Sequence, residues 1–465
     1  MHGRFRPALY EYLMPFRYGG LNEKHVLRRL PTFAAMPQPL QLSEDFNYAL
    51  ERMESGAHLF ITGRAGTGKS TLLQIFKRST RKNVVVLAPT GVAALNVGGQ
   101  TIHSFFNFPP RLLQAKDVRP NRRNKRLFDN LETLVIDEIS MVRADVMEAI
   151  DLGLRINRGS GEPFGGVQLI LFGDLFQLPP VVSSQTEREF FSLRYASAYF
   201  FSADCLDLID LEMVELRQVY RQDSRHFLRL LESIRNATVD YDELADLNQR
   251  CLPDFVPEEG SNYLTLAARN ATVTRINGGA LEALDSPEHL YTAEVKGDFP
   301  DRLFPVPQIL RLKTGAQVMT LRNDPDRRYV NGTIGTIVEC KPKSVKIEIV
   351  EEGRPAEVEV EYDEWDIIRY TADTQDLRKI ATETLGTYRQ LPIRLAWAVT
   401  IHKAQGKTFD RIIIDLGRSG AFEHGQTYVA LSRCRTLEGI VLRQPLSLRD
   451  VMVDPEVVQF YEGKR

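Results

Sequence analysis

The segment from Gly63 to Ser70 has the residue types and spacing of a phosphate-binding loop. It reads GRAGTGKS, which fits G-x-x-x-x-G-K-[ST], and it lies between an apolar run, HLFIT, and a helix-like run, STLLQIFK. The glycines let backbone N–H groups curl around a phosphate at a helix N-terminus, Lys69 can reach the β- and γ-phosphates, and the Ser70 hydroxyl can ligate Mg²⁺. The candidate nucleotide-binding residues are therefore Gly63, Gly66, Thr67, Gly68, Lys69, Ser70 and Thr71.

Two adjacent carboxylates end another apolar run. The sequence LVIDE places Asp137 and Glu138 directly after a strand-like segment. Asp137 can hold Mg²⁺ through water, and Glu138 can orient and deprotonate the water that attacks the γ-phosphate. The phosphate loop upstream favours a catalytic role for these two carboxylates over a structural one. The adjacent glutamate favours a hydrolytic ATPase, and a nucleotide kinase or loader ATPase is the alternative.

Four further side chains could connect hydrolysis to a second domain. Gln177 lies just beyond the end of VQLILFGD, where its amide could contact the γ-phosphate. Arg217 and Arg221 lie in ELRQVYRQ, and Arg433 lies in TYVALSRCR, which we predict to be helical. Arginines from a second domain can stabilise the charge on a transferring phosphoryl group. From spacing alone, a structural glutamine and solvent-exposed arginines fit these positions as well.

Composition limits the remaining choices. The chain has 465 residues, enough for about three domains, with 43% hydrophobic and 26% charged residues and a formal charge of −2. Such a protein does not coat nucleic acid by bulk charge, so any binding must use local patches such as residues 111–126, with seven Lys/Arg and one Asp. The four cysteines form no C-x-x-C pair and indicate neither a zinc site nor a disulfide framework. No apolar run approaches the roughly 20 residues of a membrane span.

Short apolar runs separated by helix-length segments indicate how these residues are positioned. HLFIT, NVVVLAP, LETLVID and VQLILFGD are typical of buried parallel strands in an α/β sheet, and a helix is predicted to begin after Ser43. A second α/β pattern begins near Leu211. Residues 309–385 instead alternate with period two between Gly, Pro and Asn turns, which predicts a small antiparallel β unit, and the α/β pattern then resumes to the end of the chain.

Seven segments resemble, in order, the motifs of a superfamily-one helicase. They are GRAGTGKST, APTGVAALNVGGQTIHSFF, VIDEISM, LILFGDLFQLPPV, VYRQ, VTIHKAQGKT and YVALSRCR. The chain resembles the Pif (petite integration frequency) family of 5′→3′ DNA helicases, in superfamily 1B, over residues 42–455. The stretch from MVRADV to LILFGD resembles the Pif signature, where generic RecD-like proteins differ. A RecD-like helicase of a recombination pathway is the alternative within this class.

The resemblance implies an α/β fold with two RecA-like domains and ATP between them. It implies that Gln177 senses the γ-phosphate and that Arg221, rather than Arg217, and Arg433 act as arginine fingers. The family's adenine-contacting glutamine usually lies within the first helix, but here only Gln41, just before it, is available. The implied domains are an irregular leader (1–40), a first RecA-like domain (41–205) with a wedge at about 107–128, a second RecA-like domain (206–308 and 386–465) and an inserted Src-homology-like β-barrel (309–385).

Two of the helicase-like segments, APTGVAALNVGGQTIHSFF and VTIHKAQGKT, resemble the elements that hold single-stranded DNA. Threonine hydroxyls and backbone N–H groups can contact phosphates there, and aromatic rings can stack on bases. From sequence alone TIHSFF also fits a core-facing helix. The sequence therefore does not decide whether Phe105 and Phe106 stack on bases or pack in the core. The candidate DNA-binding residues are Thr90, Gly91, Asn96, His103, Phe105, Thr400, His402 and Lys403.

These features together predict an ATP- and Mg²⁺-dependent 5′→3′ DNA helicase. Its expected partners are single-stranded DNA and tailed or forked duplexes, with G-quadruplexes and RNA–DNA hybrids as further substrates, and a monomer is the default. A DNA-dependent P-loop ATPase without helicase activity and a non-catalytic DNA-binding module are alternatives. The Arg-rich start of the chain favours an irregular leader on a bacterial, nucleoid-associated cytoplasmic protein, and a transit peptide for organelle targeting stays open.

Overall fold

The structure is a computed structural model that describes residues 43–464, with gaps at 183, 223, 259, 352–353 and 377. The predicted leader and Gln41 lie outside the described residues. Within them, no helix combines the length and apolar character that a membrane span requires.

Six parallel strands form the first sheet in the described part of the chain. They are β1 (His58–Gly63), β2 (Val84–Ala88), β3 (Gln100–Thr101), β4 (Thr133–Ile136), β5 (Gln168–Phe172) and β6 (Leu211–Leu216). The spatial order is β3-β2-β4-β5-β1-β6, and the central strands are buried. The four runs predicted as buried parallel strands therefore lie side by side. β6 pairs along its whole length with β1, so the first sheet continues past residue 206, where the predicted second domain begins.

Seven helices accompany this sheet in the described residues. They are α1 (Glu44–Ser55), α2 (Lys69–Ser79), α3 (Gly91–Val97), α4 (Ile102–Phe106), α5 (Lys125–Asn130), α6 (Ala144–Arg158) and α7 (Gln185–Arg194). Ser43 caps α1, as predicted, by accepting a hydrogen bond from the Phe46 N–H at 3.3 Å. We call the first sheet and these helices the first lobe.

A second parallel sheet has four strands in the described residues, in the order β18-β7-β19-β20. They are β7 (Leu264–Ala267), β18 (Ala398–Thr400), β19 (Ile412–Asp415) and β20 (Ile440–Leu442). The helices that accompany it are α8 (Arg225–Arg235), α9 (Tyr241–Asn248), α10 (Asn270–Glu282), α11 (Ile401–Ala404) and α12 (Gln426–Leu431). We call this sheet and these helices the second lobe.

Antiparallel strands interrupt the second lobe between β7 and β18. They are β8 (Glu288–Thr292), β9 (Glu294–Gly297), β10 (Ile309–Lys313), β11 (Gln317–Thr320), β12 (Ile334–Cys340), β13 (Ser344–Glu351), β14 (Arg354–Glu361), β15 (Asp363–Ala372), β16 (Ile380–Gln390) and β17 (Ile393–Leu395). A five-stranded sheet, β14-β13-β12-β11-β17, has its own apolar core, and β15-β16-β9 form a separate sheet. The α/β class with a β-rich insertion is confirmed, and the inserted strands extend beyond the predicted 309–385 on both sides.

The hairpin of β15 and β16 packs on the first lobe. Tyr370 is 6% exposed, and its hydroxyl accepts a hydrogen bond from the Val86 N–H at 3.2 Å. Its own N–H donates to Gln100 Oε1 at 3.3 Å. At the hairpin tip, Asn83 Nδ2 donates to the Arg378 carbonyl at 2.7 Å. The insertion and the first lobe therefore share a buried contact.

The last helix, α13 (Pro455–Lys464), packs on the first lobe rather than on the second sheet. The ring of Phe460 stacks on that of Phe201, with centroids 4.4 Å apart. The Tyr461 and Thr62 hydroxyls are 2.6 Å apart, so this helix contacts β1 one residue before the phosphate loop.

Candidate nucleotide site and nucleic-acid interface

The phosphate loop connects the end of β1 to the start of α2. Gly66 and Gly68 both have φ of +86°, in the left-handed region that favours glycine. A Cβ at Gly66 would lie 2.7 Å from Arg221 Cβ, and one at Gly68 would lie 2.9 Å from the Phe46 ring. Gly68 also leaves the first turn of α2 without a side-chain cap. The loop therefore leaves backbone N–H groups for an anion and has no room for larger residues.

The side chain of Lys69, the first residue of α2, folds back over the phosphate loop. Its ammonium donates to the carbonyls of Gly63 at 2.6 Å and Arg64 at 3.1 Å. Burial lowers the pKa of Lys69, although Asp174 and Glu138 partly offset this. A buried cation beside the backbone N–H groups of a glycine-rich loop fits a phosphate. Thr67 is buried and donates to the Arg64 carbonyl, whereas Ser70 and Thr71 line the open cavity.

The two candidate carboxylates meet the loop at the end of β4. Glu138 has φ of +52°, an unusual backbone conformation for a residue with a side chain, of the kind found at functional sites. Burial raises the pKa of both Asp137 and Glu138, and Lys69 opposes this. Ser70 and Asp137 supply the hard oxygen atoms that Mg²⁺ prefers, and Mg²⁺ is commonly held by few protein ligands together with phosphates.

Arg221 and Arg433 lie at the same cavity, on its second-lobe side. α12 ends at Leu431, so Arg433 is not on the predicted helix but in the turn after it, 1% exposed. Its Nε donates to the Val429 carbonyl at 3.0 Å, and Arg221 Nη1 donates to the Ser432 carbonyl at 3.0 Å. Burial lowers the pKa of both arginines, and each has neutral oxygens as hydrogen-bond partners in the described structure. Two buried guanidinium groups facing a cavity fit an anionic ligand.

Residues from both lobes line this cavity of about 610 Å³. The first-lobe side includes Lys69, Ser70, Asp137, Glu138 and Gln177, and the other side includes Arg221, Thr408, Arg433 and Arg435. The structure thus brings together all the predicted catalytic residues, which lie up to several hundred positions apart in the sequence. The glycine geometry, the buried cations and the oxygen donors fit a magnesium nucleoside triphosphate.

Several residues at this site were not predicted from the sequence. Asp174 accepts hydrogen bonds from Gln177 Nε2 at 3.1 Å and from Arg235 Nη2 at 3.1 Å. Gln405, in the turn after α11, donates to Glu138 Oε2 at 3.2 Å and to Gln177 Oε1 at 3.3 Å. The sequence signal for Gln405 was its position in VTIHKAQGKT, two residues after Lys403.

One more contact joins the phosphate loop to the second lobe. The Ala65 N–H donates to the Tyr428 hydroxyl at 3.0 Å, and Tyr428 belongs to α12. Tyr428 lies in the YVALSRCR segment, five residues before Arg433, and was also missed. The segment therefore contacts the loop as well as presenting an arginine.

The first group of candidate strand contacts surrounds α3 and α4. Thr90 caps α3 through its hydroxyl, Asn96 is exposed, and His103 is half-buried. Burial, and the nearby charge of Arg143, lower the pKa of His103, so that its ring is neutral near pH 7. Leu303 covers Gly91 in this arrangement.

Phe105 does not present its ring to the surface. It is 4% exposed and packs against Phe106, Phe128 and Tyr370, with ring centroids 4.9, 5.4 and 6.2 Å away. The predicted stacking role for Phe105 therefore does not fit this structure. α4 turns this side chain inward because it lies against the first sheet, and the core interpretation of TIHSFF applies.

The second group lies in the turn from Thr400 to Gln405. The Thr400 hydroxyl caps α11 by accepting from the Lys403 N–H at 3.3 Å. His402 Nε2 lies 3.0 Å from Glu423 Oε2. The Lys403 side chain reaches the surface, but its ammonium group is partly desolvated, and this desolvation, together with the charge of Arg394, lowers its pKa. This turn therefore offers a positive charge to the surface.

A basic cavity of about 960 Å³ separates the first group from the inserted segment at 111–126. Its wall includes His103 and Ser104, together with five arginines, Arg111, Arg119, Arg122, Arg123 and Arg302. The local positive patch predicted from the sequence thus adjoins the predicted strand contacts.

Comparison with known proteins agrees with these features. A family model described as PIF1-like helicase matches residues 42–244, and a model for the 2B domain of the DNA helicase Pif1 matches residues 301–340. The chain is 33% identical to the ATP-dependent DNA helicase PIF1 of Xenopus laevis over 93% of its length, but it spans 65% of that relative. It is 32% identical to the ATP-dependent DNA helicase Pif1 of Bdellovibrio bacteriovorus, covering 91% of this chain and 92% of the relative.

Solved structures of a third relative match the fold. Pif1 from Bacteroides sp in complex with ADP-AlF4 superposes with a TM-score of 0.84 at 36% identity, over 91% of this chain and 97% of that one. Bacteroides Pif1 bound to single-stranded DNA has a TM-score of 0.66 at 37% identity and the same coverage. Because the bacterial relatives match over nearly their whole length, the chain belongs to the PIF1-like helicase family.

Proposed function

We propose that this protein is an ATP-dependent DNA helicase that moves 5′→3′ along single-stranded DNA and unwinds tailed or forked duplexes. The observation that carries the proposal is the shared cavity, where Lys69 and Glu138 of the first lobe face Arg221 and Arg433. A ligand that contacts both sides of this cavity favours closing of the two lobes, and its loss favours opening. The named activities of the relatives and the DNA-bound Bacteroides structure support the same function.

Each residue has a proposed role in hydrolysis. Lys69 and the loop N–H groups hold the phosphates, and Ser70 and Asp137 hold Mg²⁺. Glu138 orients a water molecule and accepts its proton, while Gln177 contacts the γ-phosphate. Arg221 and Arg433 stabilise the negative charge that develops on the phosphoryl oxygens. Bound ATP supplies the phosphoanhydride bond, and Mg²⁺ neutralises charge on its oxygens.

The strand is proposed to lie across both lobes. Thr90, Asn96 and His103 contact it on the first lobe, and Thr400, His402 and Lys403 contact it on the second, with Gly91 available only if Leu303 moves. Opening and closing of the lobes then moves one group of contacts relative to the other, by about one nucleotide in each cycle. The basic cavity beside residues 111–126 holds phosphates near the duplex junction, where the insertion acts as a wedge.

The proposal extends to other structures that a DNA strand can form. A motor that pulls one strand through a groove disrupts whatever that strand is paired with, so G-quadruplexes and RNA–DNA hybrids are further substrates. We propose a monomeric motor acting on bacterial nucleoid DNA. We also propose the division into domains predicted from the sequence, with the first RecA-like domain extended to the end of β6.

Two measurements test the proposal. ATP hydrolysis should rise on addition of single-stranded DNA, and a duplex with a 5′ tail should be unwound while one with a 3′ tail is not. The Lys69→Ala variant, with the same fold by circular dichroism, should show neither activity. Hydrolysis that ignores DNA would exclude a motor, and unwinding that depends on a 3′ tail would reverse the assigned direction.

A further inference from the structure

Gln405, the last residue of the candidate strand-binding turn, contacts the candidate hydrolytic carboxylate. Its side-chain amide donates to Glu138 Oε2 at 3.2 Å and to Gln177 Oε1 at 3.3 Å. The hydrogen bond to Glu138 therefore comes from the second lobe. One amide group thus contacts two first-lobe residues with proposed roles in hydrolysis.

The orientation of these amides follows from their neighbours. Asp174 is ionised beside Arg235, so it can only accept hydrogen bonds, and Gln177 must present its Nε2 to it. The Oε1 of Gln177 therefore points towards Gln405, which must present its own Nε2. The carboxylate of Glu138 accepts from the same nitrogen. The hydrogen-bond directions are consistent from Asp174 to Glu138.

Backbone geometry ties Gln405 to the strand-binding turn. The Gln405 N–H donates to the His402 carbonyl at 3.2 Å, and the Lys403 N–H donates to the Thr400 hydroxyl at 3.3 Å. These two bonds close the short α11, so the residues of the turn move together. A displacement of His402 or Lys403 by a bound strand therefore displaces Gln405.

We propose that Gln405 is a positioning residue that transmits the position of the turn at 400–405 to Glu138 and Gln177, so that strand binding accelerates hydrolysis. The inference rests on the proposed function and adds the residue through which the strand acts on the nucleotide site. Gln405 needs no contact with ATP or DNA for this role, because it acts through Glu138 and Gln177.

The test compares Gln405→Ala with the full-length wild type in steady-state ATP hydrolysis, with and without saturating oligo(dT). A lost hydrogen bond to a charged group corresponds to roughly a tenfold or larger decrease in rate. We expect kcat with DNA to fall by about that factor and the ratio of stimulated to unstimulated kcat to approach one. The KM for ATP and the affinity for oligo(dT) should stay within about twofold. A role in folding alone would not change this ratio selectively.

A matched control and a double variant complete the test. Gln249→Ala removes an exposed second-lobe glutamine whose amide contacts Asp246, and it should keep the full stimulation. Gln405→Ala combined with Gln177→Ala should lower stimulated kcat by less than the product of the two single effects, because the two side chains share a hydrogen bond. Undiminished stimulation in Gln405→Ala, or additive losses in the double variant, would overturn the inference. A wild type that DNA does not stimulate would instead refute the proposed function.

Discussion

Asp174 and Arg235 form an ion pair buried between the two lobes, with 3.1 Å between Oδ1 and Nη2 and side-chain exposures of 0% and 5%. The Arg235 guanidinium also lies 4.1 Å from the centroid of the Phe176 ring. Burial opposes ionisation of Asp174, but Arg235 and Lys69 hold its pKa below the usual range. The pair connects the loop after β5 to the end of α8, so it joins the site to the second lobe.

Removing one member of this pair should be costly for stability. Arg235→Gln leaves the Asp174 carboxylate buried without its cation, and breaking such a pair costs about 3–5 kcal/mol. We expect the free energy of unfolding, measured by urea denaturation, to fall by that amount. Asp174→Asn combined with Arg235→Gln removes both charges and should recover part of the loss.

The control for this prediction lies on the same helix. Arg229 is 66% exposed and lies 3.8 Å from Glu243, so Arg229→Gln should change the free energy of unfolding by less than about 1 kcal/mol. If Arg235→Gln were no less stable than Arg229→Gln, the buried pair would not contribute as its geometry implies.

The shape of the Arg433 side chain should matter for catalysis as well as its charge. Arg433→Lys keeps a positive charge but loses the planar fork that can donate several hydrogen bonds to phosphoryl oxygens. Because arginine fingers contribute about 10³–10⁵ in rate, we expect DNA-stimulated kcat to fall at least 100-fold while the KM for ATP changes little. Arg449→Lys, at an exposed second-lobe position, is the control. An equal loss in both variants would contradict a specific role for Arg433.

The nucleotide site was predictable from the sequence because its main parts are local. The phosphate loop needs glycines, Lys69 and Ser70 within eight positions, and Asp137 and Glu138 need only a buried strand before them. The parallel strands were predictable for the same reason, since continuous apolar runs identify them one at a time. The family resemblance then supplied the arginine roles, which spacing alone left open.

The contacts between distant segments were not predictable in this way. Gln405 and Glu138 are 267 positions apart, and no local pattern pairs an amide with a particular carboxylate. The packing of Tyr370 against Phe105 depends on how the β15–β16 hairpin docks on the first lobe. The termination of α12 before Arg433 and the pairing of β6 with β1 are likewise set by tertiary contacts, because the local sequence fits either outcome.

The ion pair between His424 and Asp454 should make stability depend on pH. His424 Nδ1 lies 3.2 Å from Asp454 Oδ2, and this hydrogen bond raises the pKa of His424. Burial opposes ionisation of Asp454, but His424 lowers its pKa. The histidine contribution is present below the pKa of an unfolded histidine, about 6.5, and is lost as pH rises through the raised value. The aspartate contribution is lost as pH falls below about 4.

His424→Asn should therefore lower the free energy of unfolding more at pH 5.5 than at pH 8.5. The difference should stay below about 1 kcal/mol, because the His424 side chain is 41% exposed and solvent screens the pair. Urea denaturation at the two pH values measures it. His289→Asn, at an exposed position, is the control for the effect of losing a histidine that has no such ion pair in the described part of the chain. A loss that is equal at both pH values would show that His424 contributes by packing rather than by its charge.

Substitution of Phe105 distinguishes a role in the core from a role in base stacking. Phe105→Leu leaves space among Phe106, Phe128 and Tyr370, and we expect it to lower the free energy of unfolding by about 1–3 kcal/mol. Affinity for oligo(dT), measured by fluorescence anisotropy well below the unfolding temperature, should stay within about twofold. A stacking residue would instead lose about 1–3 kcal/mol of binding, or roughly five- to 150-fold, with little change in stability. Tyr241→Leu, at a ring that is 79% exposed on α9, should change neither quantity. A large loss of affinity in Phe105→Leu with unchanged stability would mean that the ring leaves the core when a strand binds.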